Sequence, residues 1–269
     1  MNLSNCRLAS FLGFLALSNF VFINSAKAFS VTLNNPDFNT STTGWQTVGD
    51  VTTIGSNVIR ANGNFINPTS SSNQAIITNA FNSRVDDANS SGDSLNFNQS
   101  GTDPSDADTS TSTNGGNDVQ TELGLPLSAF SIDRNPPQTD NPRTSKEGSA
   151  IYQDFTVTLD AGETGFDINF NWAYLTNDGT STALGNGNQD FAFLSVYNTN
   201  ETPGAIEVLA DSSGAITAPS ASNNFVQGNT TYYSEGNLYT YSVDGLTPGQ
   251  PYNYQMALGV IDVDGSDRS

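Results

Sequence analysis

The stretch SAIYQDFTVTL, residues 149–159, alternates apolar and polar side chains with the period of two that is typical of a β-strand. One face is mostly apolar and carries Ile151, Gln153, Phe155, Val157 and Leu159. The other face carries Tyr152, Asp154, Thr156 and Thr158. A strand with one apolar and one polar face packs one side on a core, so this stretch predicts a half-buried strand in an antiparallel sheet.

The sequence around this strand repeats the same signals. GFDINFNWAYLT, residues 165–176, places five large apolar side chains on one face: Phe166, Ile168, Phe170, Trp172 and Tyr174. Further strands are predicted in QDFAFLSVYN, AIEVLAD, NLYTYSVDGL and the stretch through Met256, Leu258 and Val260. Asn62-Gly63 predicts a hairpin, and Pro248-Gly249 predicts a turn.

Composition agrees with this pattern, because residues that favour long helices are scarce and charged residues make up only 13% of the chain. One short helix is expected near Val119–Leu123, ended by Gly124. With about nine short strands between turn signals, we predict an all-β fold, an antiparallel two-sheet sandwich of the jelly-roll type.

Residues 1–28 have the features of a secretory signal peptide. Arg7 precedes an apolar stretch over residues 8–23, and Ala26-Lys27-Ala28 is a small-x-small cleavage site. The apolar stretch is shorter than the roughly 20 residues that a membrane span needs. We therefore expect export, with residues 29–269 as a single domain that is secreted or held at the cell surface without membrane insertion.

Charge and residue types exclude several functions for the exported chain. Removing Arg7 and Lys27 leaves six basic against 27 acidic residues, a net charge of −21, and removing Cys6 leaves neither Cys nor His. Nucleic acid is excluded as a partner because no basic patch is present. A Ser-His-Asp triad, a Cys nucleophile and an ordinary zinc site are excluded as well. The acidity favours solubility, divalent cations, or both.

A polar insertion is expected at about residues 82–146. Within it, 27 of the 33 residues from Asp86 to Asp118 are Asp, Asn, Ser, Thr or Gly, and none is basic. Such a run buries too little apolar area to offset its ordering entropy, so we expect it to lack a fixed structure unless a metal orders it.

Near the start of the exported chain, NNPDFNTSTTGWQTVGDVTT, residues 34–53, combines turn and core signals. Asn35-Pro36-Asp37 is turn chemistry, and Phe38 is an isolated aromatic residue that we expect in the core. This opening resembles the first strands of jelly-roll carbohydrate-binding modules.

The second half resembles a group of bacterial exported proteins, often cyanobacterial, that usually end in a PEP-CTERM sorting signal. The resemblance lies in EGSAIYQDFTV, DINFNWAYLTND, NQDFAFLSV, NLYTYSV and MALGVIDVDGSD. It implies a location and a fold rather than an activity. The group has a further strand and a sorting tail after GVIDV, and we expect both beyond Ser269, with a sheet position left unpaired here.

Calcium is the cofactor that these resemblances imply. Related modules hold a structural calcium between an acidic residue near the first strand and one near the last. The matching first-strand position here is Asn39, in place of the usual Glu, and Asp37 lies two residues before it. Asp262 and Asp264, in DVDGSD, space carboxylates as a calcium loop does. The alternatives are turn capping by Asp37 and an ordinary acidic turn at Asp262.

Aromatic side chains are the remaining residues in the sequence that suggest a function. We consider Tyr232, Tyr233 and Trp172 for stacking on a sugar ring, with Tyr232-Tyr233 placed in a polar loop and Trp172 on the core side of its strand. Core or rim packing is the alternative for all three.

The function expected from the sequence is non-enzymatic binding of a polysaccharide or cell-surface glycan. A structural or adhesive matrix component without a specific ligand is the alternative. A glycoside hydrolase that uses Asp178 and Asp190 is a third hypothesis.

Overall fold

The structure is a computed structural model of the chain. It describes residues 16–17, 29–31, 33–55, 59–61, 64–66, 73–78, 105–107, 118–131, 147–176, 190–201, 204–211, 216–217 and 232–262.

The first half of the chain supplies short strands: β1 (Ala16–Leu17), β2 (Phe29–Val31), β3 (Gln46–Val48), β4 (Asp50–Gly55), β5 (Ile59–Ala61), β6 (Asn64–Ile66), β7 (Asn73–Thr78) and β8 (Ser105–Asp106). A helix α1 (Asp118–Glu122) and a 3-10 helix (Leu127–Phe130) follow. The second half supplies the longer strands: β9 (Glu147–Leu159), β10 (Gly165–Thr176), β11 (Phe191–Asn198), β12 (Ile206–Asp211), β13 (Ile216–Thr217), β14 (Tyr232–Asp244) and β15 (Pro251–Asp262).

The largest sheet has the order β12-β11-β15-β9-β2, and β3 and β8 also pair with β9. All of these pairings are antiparallel. β15 lies between β9 and β11, so it has a neighbour on each side. The unpaired sheet position that the resemblance implies is therefore not beside β15.

A second layer is built from the sheets β10-β14-β13 and β1-β7-β4. β10 pairs with β14 along both strands, with a register shift between Phe170 and Trp172. β5 and β6 form a separate hairpin, in which Ala61 pairs with Asn64. This register fits the two-residue turn that Asn62-Gly63 predicts, although the turn itself lies outside the described residues.

The main core lies between the large sheet and the second layer. Its buried side chains come from both sides: Phe38, Trp45, Val51, Ala75, Ile77, Ile151, Phe155, Val157, Leu159, Phe166, Ile168, Phe170, Trp172, Tyr174, Ala192, Leu194, Val196, Tyr254, Met256, Leu258 and Val260. The apolar face predicted for residues 166–174 is confirmed, because all five of its side chains are buried here. The protein is thus an all-β protein of antiparallel sheets packed face to face, with very little helix.

A second core covers part of the opposite face of the large sheet. Val119 and Leu123 of the α1 region, Leu125 and Phe130 pack there with Ala107. Their partners in the sheet region are Val48, Ala150, Tyr152, Phe191, Phe193, Ala257 and Ile261. Because β11 has core on both faces, its residues 191–196 are all buried.

α1 ends where the sequence predicted. Gly124 has a φ of 63°, its N–H bonds to the Thr121 carbonyl, and the Leu125 N–H bonds to the Gln120 carbonyl. These are the two hydrogen bonds of a Schellman motif, which needs a left-handed residue at this position.

Three expectations need correction. The sequence predicts a short strand over residues 31–34, but the first strand after the leader covers Phe29–Val31, because residues 34–37 form a turn. Residues 86–118 are not uniformly without structure, since β8 pairs with β9 and Ala107 is fully buried. Tyr232 and Tyr233 are not in a loop, because they begin the strand β14. Their polar neighbours suggested a loop, but pairing with β10 overrides that local signal.

Candidate functional site

The outer face of the large sheet, opposite the main core, is polar over the middle of β9, β11 and β15. Register places Asp154, Gln255 and Tyr197 in one row across the three strands, and Thr156 and Asn253 in the next row on the same side. We call these five residues the polar face. It lies beside the part of the sheet that α1 covers.

The polar face is linked by side-chain hydrogen bonds between strands. The Gln255 Nε2 donates to Asp154 Oδ1 over 3.3 Å, and the Thr156 hydroxyl donates to Asn253 Oδ1 over 2.9 Å. Gln255 is only 8% exposed, and its Oε1 is buried without a hydrogen-bond partner. A buried amide oxygen without a donor costs about 1–3 kcal/mol, so this atom lowers the stability of the folded protein.

Two tyrosines join the sheet to the α1 segment. The Tyr152 hydroxyl donates to Glu122 Oε2 over 2.9 Å, and the Tyr197 hydroxyl donates to the Leu123 carbonyl over 3.1 Å. The Tyr197 ring is also closely approached by Gly204, where a Cβ would lie 2.5 Å from the ring. The ring is therefore held in one orientation at the edge of the polar face.

Negative charge on this face acts on both tyrosines. Burial and the hydrogen bond to Glu122 raise the pKa of Tyr152 to about 12, with further contributions from the charges of Glu122 and Asp154. Burial and the charge of Asp154 raise the pKa of Tyr197. Both hydroxyls therefore stay protonated and act as donors under ordinary conditions.

The shift at Tyr152 predicts a loss of stability in alkali. The unfolded chain ionises tyrosine near its ordinary pKa of about 10, while the folded protein holds the Tyr152 proton, so the free energy of unfolding falls as the pH rises from about 10 to about 12. The pKa values of Tyr239, Tyr241 and Tyr254 are also raised, so they contribute to the same fall. We expect Tyr152→Phe to make this fall shallower in urea unfolding at a series of pH values. Equal pH profiles for the variant and the parent protein would contradict the assignment.

The predicted metal residues Asp37 and Asn39 form a local turn. Asp37 Oδ1 accepts from the Asn39 backbone N–H over 3.4 Å, and Asp37 Oδ2 accepts from Asn39 Nδ2. The structure thus shows the turn-capping alternative for Asp37. The contacts of Asp37 do not decide whether a calcium ion binds it, and that role stays a prediction.

Asp262 lies in a row of acidic residues across three strands. Its backbone pairs with Glu147 of β9, which in turn pairs with Asp106 of β8. Asp264 lies outside the described residues. Among the described residues, no group of three or more His, Cys, Asp or Glu side chains is arranged to hold a metal ion.

The aromatic candidates are separated by the fold. Trp172 is 8% exposed and belongs to the main core, so its ring packs on neighbouring side chains. Tyr233 pairs with Leu175 and Ile216, and Tyr232 pairs with Thr176 and Thr217. The structure does not bring these tyrosines to the rows that form the polar face.

The proposed hydrolase residues are not seen together. Asp190 is buried immediately before β11, and Asp178 lies outside the described residues. The hypothesis of a carboxylate pair therefore remains untested.

Sequence analysis did not select any residue of the polar face. The alternation in residues 149–159 did place Asp154 and Thr156 on the polar side of their strand. The sequence does not show the register that brings Gln255, Asn253 and Tyr197 beside them, because strands that pair lie far apart in the sequence.

The fold and the polar face define an all-β protein of antiparallel sheets with an open, hydrogen-bonding sheet surface. No family model, curated protein or solved structure matches the chain. No helix in the part of the chain that the structure describes is long and apolar enough to cross a membrane. The proposed function therefore rests on the residues of this chain alone.

Proposed function

We propose that the protein is an exported, non-enzymatic carbohydrate-binding protein with a jelly-roll-type sandwich, and that the polar face binds the glycan. Localisation at the cell surface or in the extracellular matrix is part of this proposal, because it rests on the leader and on the resemblance to exported proteins. The observation that carries the proposal is the register that brings hydrogen-bonding side chains of three strands together on one side of the large sheet.

A polar sheet face alone does not make a site, since antiparallel sheets commonly leave one face in water. The outer side of β10 and β14 provides the comparison. There Ser242 donates to Asp167 Oδ1 over 2.7 Å, and Thr240 donates to Asn169 Oδ1 over 2.6 Å. The polar face differs because its side chains come from three strands and a tyrosine is fixed at its edge.

A sugar suits such a surface. Sugar hydroxyls both donate and accept hydrogen bonds, and the exposed Asp154, Thr156 and Asn253 offer both kinds of group along neighbouring strands. Strands lie about 4.8 Å apart, so contacts repeat across the sheet at short intervals. An extended chain of sugars has repeating groups that match such a surface.

Glycan binding to the full-length protein tests the proposal. We expect a polysaccharide identified on a glycan array to bind roughly tenfold more weakly to Asn253→Ala, because a typical hydrogen-bonding contact is worth about 1 kcal/mol or slightly more. Ser242→Ala is the matched control, since it removes an exposed cross-strand hydrogen bond on the other sheet.

Two results would contradict this assignment. Binding to no glycan would favour the matrix component without a specific ligand. Equal weakening by the Asn253 and Ser242 variants would show that the polar face is not where the glycan binds.

Calcium stays a predicted structural ligand. The predicted ligands are Asp37, Asn39, Asp262 and Asp264. We expect a higher Tm with calcium than with a chelator. At a calcium concentration of one hundred times the Kd, the free energy of unfolding rises by about 2.7 kcal/mol. Asp262→Asn should reduce this rise. An identical Tm with calcium and with chelator would contradict the calcium prediction.

A further inference from the structure

Tyr197 belongs both to the polar face and to the contact with the segment over residues 118–125. Register places it opposite Gln255, in the row that includes Asp154, and its side chain is half-buried. Its hydroxyl donates to the Leu123 carbonyl over 3.1 Å. Because the side chains of a cross-strand pair lie on the same side of a sheet, the ring reaches from the polar row to the segment.

Two glycines leave room for this ring in one position. A Cβ on Gly204 would lie 2.5 Å from Cδ1 and 2.8 Å from Cγ of Tyr197, and a Cβ on Gly124 would overlap the Tyr197 hydroxyl. Neither position therefore holds a larger side chain unless the ring or the backbone shifts. Gly204 lies just before β12 and Gly124 follows α1, so two parts of the chain that are far apart in the sequence enclose the ring.

The Tyr197 hydroxyl completes the hydrogen bonding at the end of α1. The last carbonyls of a helix have no partner within the helix, and Leu123 follows directly after α1. The next two N–H groups bond back to carbonyls of α1, while the Leu123 carbonyl accepts from Tyr197. A displaced ring would leave this carbonyl without that donor. The position of the ring and the docking of the segment therefore depend on each other.

We infer that Tyr197 is a positioning residue that couples the docking of residues 118–125 to glycan binding at the polar face. This inference rests on the proposed function, because it concerns how the same face is held in shape. A glycan that contacts the ring favours the position in which the hydroxyl reaches Leu123, and it thereby stabilises the docked segment. The coupling is reciprocal, since two events that favour the same arrangement favour each other.

A variant beside the ring tests the link without a glycan. Gly204→Ala places a methyl group whose three nearest atoms all belong to Tyr197. It should quicken amide hydrogen exchange of residues 119–125 roughly fivefold, because the displaced hydroxyl bonds less well to Leu123. In the Tyr197→Phe background the same change should have no further effect, since that hydrogen bond is already absent. Gly165→Ala is the matched control: a Cβ there also has no room, but its neighbours lie on β14 of the other sheet.

A glycan tests the coupling itself. The probe is the oligosaccharide of the glycan array that binds the full-length parent protein most tightly, at a saturating concentration. It should slow exchange of residues 119–125 roughly fivefold in the parent protein and not in Tyr197→Phe. Tyr152→Phe is the matched control, because the Tyr152 hydroxyl also bonds to the segment, at Glu122, but Tyr152 lies outside the polar face. This variant should keep the slowing, so its loss in Tyr197→Phe alone is a result that a purely structural hydrogen bond would not give.

Each outcome has a defined meaning. An equal effect of Gly204→Ala with and without the Tyr197 hydroxyl overturns the link to the segment. A glycan that binds but leaves exchange in the parent protein unchanged, or slows it equally in Tyr197→Phe, overturns the coupling and leaves the proposed function intact. Binding of no glycan overturns both. The glycan measurement does not need Gly204→Ala, so it decides the inference even if that variant fails to fold.

Discussion

Replacing Phe193 with alanine is expected to lower the free energy of unfolding by about 3–5 kcal/mol. Phe193 is fully buried on β11, and its ring centroid lies 5.1 Å from that of Phe130 in the 3-10 helix. Truncation leaves a cavity between the sheet and the segment of residues 118–131, and neither side is positioned to fill it. Gly259 lies directly below the ring, so the backbone there offers no side chain for repacking.

The same variant should loosen the segment that borders the polar face. We expect amide hydrogen exchange of residues 119–125 to quicken more than that of β15, because the segment loses one of its main partners in the sheet. Phe166→Ala is the matched control: Phe166 is equally buried, but it belongs to the main core. It should cost a similar free energy without selective exchange in the segment. A uniform increase in exchange in both variants would contradict this role for Phe193.

Replacing Gln153 with leucine is expected to cost about 2–4 kcal/mol, because three backbone groups lose the buried side chain that they bond to. Gln153 Oε1 accepts from the Asn34 N–H over 2.7 Å, and Nε2 donates to the Asn34 carbonyl over 3.0 Å and to the Gly44 carbonyl over 2.6 Å. One side chain of β9 thus ties both ends of the loop over residues 34–44 to the sheet.

The loop over residues 34–44 contains unfavourable backbone conformations, so it depends on these hydrogen bonds. Asn35, Phe38 and Ser41 have φ values of 48°, 55° and 58°, which are unfavourable for residues with a side chain. Phe38 nevertheless places its ring in the main core, 5.4 Å from Trp45, and Trp45 Nε1 donates to the Asn35 carbonyl. Packing and the Gln153 hydrogen bonds offset the local strain.

Gln255 on the neighbouring strand is the matched control for Gln153. Both glutamines are buried, but Gln255 has an oxygen without a donor. Gln255→Leu should therefore change the free energy of unfolding by less than about 1 kcal/mol, since the lost hydrogen bond is offset by removing an unsatisfied group. Denaturant unfolding of both variants checks the comparison. Equal losses would mean that Gln255 Oε1 has a hydrogen-bond partner in the native protein.

Much of the fold was predictable because local patterns and tertiary packing agree. The alternation in residues 165–176, the turn at Pro248-Gly249 and the end of α1 at Gly124 appear in the structure as expected. Each is set by short-range geometry: side chains alternate across a strand, and glycine allows a left-handed φ. The strand over residues 149–159 also forms, but it is half-buried only from Asp154 onward, because the second core covers Ala150 and Tyr152 on its other face. The placement of Tyr232 and Tyr233 failed because pairing with a distant strand outweighed their polar neighbours.

The sequence by itself determined the all-β class, the acidic character and the polarity of each strand face. Only the tertiary structure decided which polar faces meet. Asp154 and Gln255 are neighbours through a register that joins residues 101 positions apart, and Tyr197 enters through a third strand. It also decided that residues 118–131 cover one part of the sheet and leave the polar face beside it open. The physical reason is that side-chain alternation is local, whereas strand order and register depend on burying the apolar faces of distant segments together.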